Sequence, residues 1–104
     1  MCLADADPKL QEIYNTYQAE IGKAADLIKS EGFESVYLAV PLTQEWGYLT
    51  DFSMGTKGVP GIKYYRLWQA IENEVGTLID FFDYEDDVKY HDMLLSTGRL
   101  IEIA

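Results

Sequence analysis

The sequence predicts a small single α+β domain spanning residues 1–104, with the order α-β-β-α-α-β and helices packed on a short, mainly antiparallel sheet. Three observations carry this reading. Two long segments place apolar residues at alternating spacings of four and three, the mark of a helix with one buried face. A β-branched and aromatic run lies between them, and a glycine- and proline-rich break separates that run from the second helical stripe.

Asp7-Pro8 reads as an N-cap followed by proline at the first helical position, where its missing N–H costs nothing. From there Leu10, Tyr14, Tyr17, Ile21, Ala24 and Ile28 form one stripe, and Gly32 supplies a stop, so a helix is expected over 8–31. In residues 33–42, Val36, Leu38 and Val40 fall on one face of a strand, with Tyr37 and Ala39 on the other. Pro41 cannot donate to a ladder and ends the strand or places it at an edge. Residues 46–52, Trp-Gly-Tyr-Leu-Thr-Asp-Phe, read as the second strand of a hairpin. Gly55, Gly58, Pro60 and Gly61 then mark 53–61 as a loop.

The second stripe runs through Tyr64, Trp68, Ile71, Val75, Leu78 and Phe82, which predicts a helix over 62–82. Asp83 is the expected cap of a third helix reaching Ser96, with Val88, His91 and Leu95 turned inward. Residues 99–103 read as a final strand.

Composition narrows the function. Apolar residues make up 48% of the 104, enough for a core that needs no metal or disulfide. No stretch approaches the roughly 20 apolar residues of a membrane helix, and the N-terminus lacks the basic and apolar regions of a signal peptide. The lone Cys2 reads as a tolerated terminal residue and agrees with a reducing compartment. A cytoplasmic location is the expectation.

Eighteen Asp and Glu against eight Lys and Arg leave a net charge of −10. Such a surface repels nucleic acid and anionic membranes and draws basic proteins toward it. The charge is concentrated: Glu72, Glu74, Asp80, Asp83, Glu85, Asp86, Asp87 and Asp92 stand against Lys89 alone. Crowded like charges oppose folding, although only mildly at a surface, so a solvated face explains the block about as well as a binding surface does. Tyr84 and Tyr90 lie within it, and tyrosine is a frequent interface anchor. Trp46, Tyr48 and Tyr65 add to an aromatic supply larger than one interior needs, whereas Tyr14, Tyr17 and Trp68 read as core.

No catalytic residue is assigned. One cysteine and one histidine stand far apart, and no nucleophile elbow or zincin helix is present. No metal or other cofactor is expected. Asp83, Asp87 and His91 recur at helical spacing, but this matches neither a calcium loop nor a zinc set. Residues 53–66 carry Lys57, Lys63 and Arg66 with no acid, beside a glycine-rich turn that matches neither phosphate-binding fingerprint.

The leading expectation is a non-enzymatic inhibitor whose acidic and aromatic surface blocks a basic partner, a nucleic-acid-binding protein being one such partner. Toxin immunity proteins and phage anti-defence proteins work by this logic, an analogy of size and charge. The candidate binding residues are Asp80, Asp83, Tyr84, Glu85, Asp86, Asp87, Tyr90 and Asp92. The alternative is a module that self-associates, as a homodimer, through a strand edge, a helix stripe or the contrast between the basic loop and the acidic block. A third reading is an anion-binding domain or small enzyme built on the loop around Lys57.

Overall fold

The computed structural model of the chain describes residues 7–40, 52–75, 80–84 and 88–104. Its elements are α1 (Pro8–Thr16), α2 (Gln18–Ser30), β1 (Tyr37–Ala39), β2 (Ser53–Thr56), α3 (Gly61–Val75), β3 (Asp80–Asp83), α4 (Val88–Ser96) and β4 (Leu100–Glu102). The strands form one mixed sheet in the order β3-β2-β1-β4. β1 pairs antiparallel with both β2 and β4, while β2 and β3 run parallel. The α+β class and the mainly antiparallel sheet are as the sequence predicts.

Alternation along β1 organises the interior. Val36, Leu38 and Val40 face the larger core, where they meet Met54, Phe52, Phe81 and Ile101 from the sheet. Leu10, Ile13, Ile21, Ala24 and Ile28 of the first two helices and Leu67 and Ile71 of α3 close that core. Tyr37 and Ala39 face the opposite way and pack with Leu94 and Leu100, so α4 covers the second face. Both faces of β1 are therefore buried, which accounts for its nearly unbroken apolar sequence.

The first helix begins as expected: the Asp7 carboxylate accepts from the Lys9 N–H at 2.8 Å. The same residue is tied to the far end of the chain. Its N–H donates to Gly98 O, and its carboxylate pairs with Arg99 Nε at 3.3 Å. The single helix expected over 8–31 is interrupted at Tyr17, which sits at φ −111°, ψ 30° and tilts its ring against Phe52 at 5.2 Å. Backbone bonds from Tyr17 to Ile13 and from Ile21 to Tyr17 carry the ladder through. One apolar stripe thus spans two helices, because spacing reports the buried side and not the dihedrals of one residue. Gly32 follows α2 at φ 94°.

Three expectations fail in instructive ways. Residues 53–56 are strand, not loop. Gly55 is there because Phe82 of the neighbouring strand crosses it: a Cβ on Gly55 would stand 2.1 Å from Phe82 O and 2.7 Å from a ring carbon. A strand glycine marks close approach as readily as a break. The helix expected over 62–82 ends, among the described residues, at Val75, and residues 80–83 form β3. Phe82 continues the helical spacing by coincidence, and so short an apolar segment cannot be classified by period alone. Finally, α4 turns Leu94 inward and leaves Leu95, the residue expected to face inward, 39% exposed. The strand expected over 46–52 lies, except for Phe52, outside the described residues.

Candidate functional site

Of the sequence-predicted binding residues, Asp80 and Asp83 bound β3, Tyr84 follows it, and Tyr90 and Asp92 lie on α4. Asp80 opens β3 opposite Ser53. Asp83 ends that strand and does not cap α4. Its carboxylate turns back to the β2–α3 connection, where Oδ1 accepts from Gly58 N and Oδ2 from Val59 N, each at 3.0 Å. Gly58 adopts φ 68°, a conformation costly for other residues, and this helps aim two consecutive amides at one carboxylate. Because Asp83 belongs to a strand, the helical alignment of Asp83, Asp87 and His91 does not form.

Tyr84 follows directly. Its N–H donates to Thr56 O, prolonging the β2–β3 pairing by one bond. The ring, half-buried, stacks on Tyr37 with centroids 5.0 Å apart and planes 23° apart. Its hydroxyl donates to Oδ1 of the exposed Asp92, one element later, at 3.2 Å. Partial burial first, and this hydrogen bond second, raise the Tyr84 phenol above its ordinary value. Tyr90 lies on α4. Glu85, Asp86 and Asp87, the densest part of the acidic run, lie outside the described residues.

Lys57 stands in a segment free of acids in the sequence, and the fold brings it against Tyr84. The Lys57 ammonium stands 4.9 Å from the Tyr84 ring centroid and 5.6 Å from that of Tyr37. These distances nearly equal the separation of the two rings, so one cation addresses both. A hydrogen bond to the Tyr37 side chain is the main influence raising the Lys57 pKa, with Tyr84 and Glu102 adding to it. Glu102 is the register partner of Tyr37 across the β1–β4 pair. In the sequence Tyr37 shows only as the off-core face of a strand, and its approach to Tyr84 depends on a sheet order that no local signal encodes.

The other two cations of the basic segment are also engaged. Lys63 Nζ donates to Glu31 O at the end of α2, at 3.2 Å, and lies 5.3 Å from the Phe33 ring centroid. Arg66 pairs with the Glu31 carboxylate. Residues 53–66 thus direct two amides to a carboxylate of the same chain and their three cations to partners within the chain. An external anion would meet that arrangement already in place.

Among the described residues, no three His, Cys, Asp or Glu side chains are grouped as metal ligands, and no helix is long and apolar enough to cross a membrane. Among the described residues, large exposed apolar side chains occur on two helices. Met93, 41% exposed, and Leu95 flank the α4 surface beside Asp92, while Ile62 and Tyr65 of α3 are 85% and 69% exposed.

The class these features define is an acidic α+β domain with a four-stranded mixed sheet covered on both faces, bearing a lysine–tyrosine–carboxylate cluster at the edge of its smaller core. The sequence matches no family model, and neither a curated protein nor a solved structure matches it.

Proposed function

We propose that the protein acts by binding, as a non-enzymatic inhibitor that covers the working surface of a basic, nucleic-acid-binding protein. The observation that carries this reading is the make-up of the α4 surface. Asp92, Met93 and Leu95 are exposed together on a helix whose start follows directly on Glu85-Asp86-Asp87 in the chain. Met93 and Leu95, two residues apart, lie on opposite flanks of the helix with Asp92 between them, which suits a partner presenting a cation between two apolar contacts. Charge would steer the encounter, and the apolar side chains would hold the complex. Asp83 is not part of this surface, since its carboxylate is bound to the Gly58 and Val59 amides.

The test is capture from the native lysate at low and high salt, followed by identification of the captured protein and assay of its nucleic-acid binding. The triple variant Glu85→Lys, Asp86→Lys, Asp87→Lys should associate at least tenfold more slowly and lose most of the salt dependence. Full inhibition of the partner by that variant would remove the reading.

A second reading is favoured by one observation. Ile62 and Tyr65, three residues apart on α3, expose more apolar surface than a solitary helix face requires. Self-association through this face would appear in light scattering as a concentration-dependent mass, abolished by Ile62→Lys with Tyr65→Lys. A monomer at high concentration would exclude it.

A further inference from the structure

The cluster around Lys57 has the parts of a cation-recognition site with the cation supplied from within. Two tyrosine rings are stacked at 5.0 Å, and an ammonium stands within 5.6 Å of both centroids. Carboxylates flank them: Asp92 holds the Tyr84 hydroxyl, and Glu102 sits opposite Tyr37 in the sheet register. Tyr37 is buried and fixed in the central strand, so the ring pair is anchored. Lys57 is exposed on the segment that follows β2, at the end of a flexible four-carbon stem. One ring of the receptor is thus held in the sheet, while its cation sits on an exposed side chain.

We propose that the Tyr37–Tyr84 pair, with Asp92 and Glu102 beside it, is the seat for an arginine side chain of the basic partner, and that Lys57 holds this seat until the partner displaces it. The inference rests on the protein-binding reading above and identifies one contact within it. Arginine is the fitting occupant for two physical reasons. Its planar guanidinium stacks on aromatic rings and sheds water more readily than an ammonium, and its forked donors match carboxylates at two sides of one seat. The net charge of −10 favours the arrival of such a partner, and the seat lies beside the same α4 that carries Met93 and Leu95. An internal lysine lowers the apparent affinity for an outside cation by the fraction of time it occupies the seat. It also prevents the aromatic pair from remaining open to any passing cation.

The experiment is a titration of the full chain with N-acetyl-arginine amide at neutral pH, followed by the NMR signals of the Tyr37 and Tyr84 rings and the Lys57 side chain. N-acetyl-citrulline amide, the uncharged analogue, is the control. In the parent protein arginine amide should shift both rings and release the Lys57 signals toward those of a solvated lysine, and citrulline amide should not. Lys57→Gln is at an exposed position and should bind arginine amide about threefold to tenfold more tightly, as expected for removal of an internal competitor. Asp92→Asn should weaken that gain. Equal affinity in the parent and Lys57→Gln proteins, or equal binding of citrulline amide, would overturn the proposal. The two readings fail separately. A captured partner lost on charge reversal at 85–87, yet insensitive to Lys57→Gln and Asp92→Asn, removes the arginine seat and leaves partner binding standing. Arginine amide displacing Lys57 when no basic protein is captured supports the seat and removes the inhibitor reading.

Discussion

Asp83 accepts a hydrogen bond from the backbone N–H of Gly58 across 25 residues of sequence, at 3.0 Å. With the adjoining bond from Val59, it closes the connection that follows β2 onto the end of the strand beside it. A residue that reads as one member of an acidic cluster is therefore a fastener, and its replacement should cost stability.

Asp83→Ala should lower the unfolding free energy by about 1–2 kcal/mol, since two amides lose a charged acceptor and the exposed one recovers water. Urea denaturation measures this. Phosphate or sulfate should restore part of the loss in Asp83→Ala alone, because the amides then face an empty anion position. A change within about 0.3 kcal/mol would return Asp83 to the solvated surface.

Gly55→Ala should destabilise by about 1–3 kcal/mol or more, the range for overpacking a close-fitted interior. The added methyl group meets backbone as well as ring atoms of Phe82, and a carbonyl in a paired strand cannot step aside as a flexible side chain can. Thermal unfolding would register the loss, and the double variant Gly55→Ala, Phe82→Ala should not recover it fully.

Leu94 and Leu95 give a paired test of the α4 face. Leu94→Ala should cost about 2–4 kcal/mol, because it empties the centre of the smaller core. Leu95→Ala should cost less than about 1 kcal/mol. Reversed magnitudes would mean that α4 is rotated relative to the sheet.

Alkaline pH should weaken the fold at the lysine–tyrosine cluster. The folded protein holds both Lys57 and Tyr84 protonated beyond their ordinary values of 10.5 and 10.0. Each raised group contributes stability that is fully present below its unfolded value and is lost as pH rises through its folded value. Stability should therefore be flat with respect to these groups below about pH 9.5 and decline above pH 10. Lys57→Gln and Tyr84→Phe should each flatten part of that decline in denaturation series between pH 8 and 11.5, where an undiminished slope in both would exclude the cluster as its source.

Much of the architecture was legible because it depends on local chemistry. Asp7-Pro8 started a helix where the side chain could accept an orphan amide. The alternation from Val36 to Val40 assigned each residue of β1 to the correct face. The strand at 80–83 was hidden because Phe82 extended a helical stripe, and Ser53–Thr56 was hidden because its glycine, which reads as a break, is there to admit Phe82. The two misread segments are partners in the parallel pair. A parallel pair needs a crossover connection, here through α3, so nothing in either segment alone discloses the other.

The acidic balance, the apolar stripes and the capped first helix were determined by the sequence itself, because each follows from residue chemistry and near-neighbour spacing. Tertiary structure decided the use of each charge. Asp83 and Lys57, 26 positions apart and of opposite sign, both leave their local clusters: one binds backbone amides, the other two tyrosine rings. Coulombic and hydrogen-bond partners are set by distance in space, and the pairing of β2 with β1 and β3 brings together residues that the chain keeps apart.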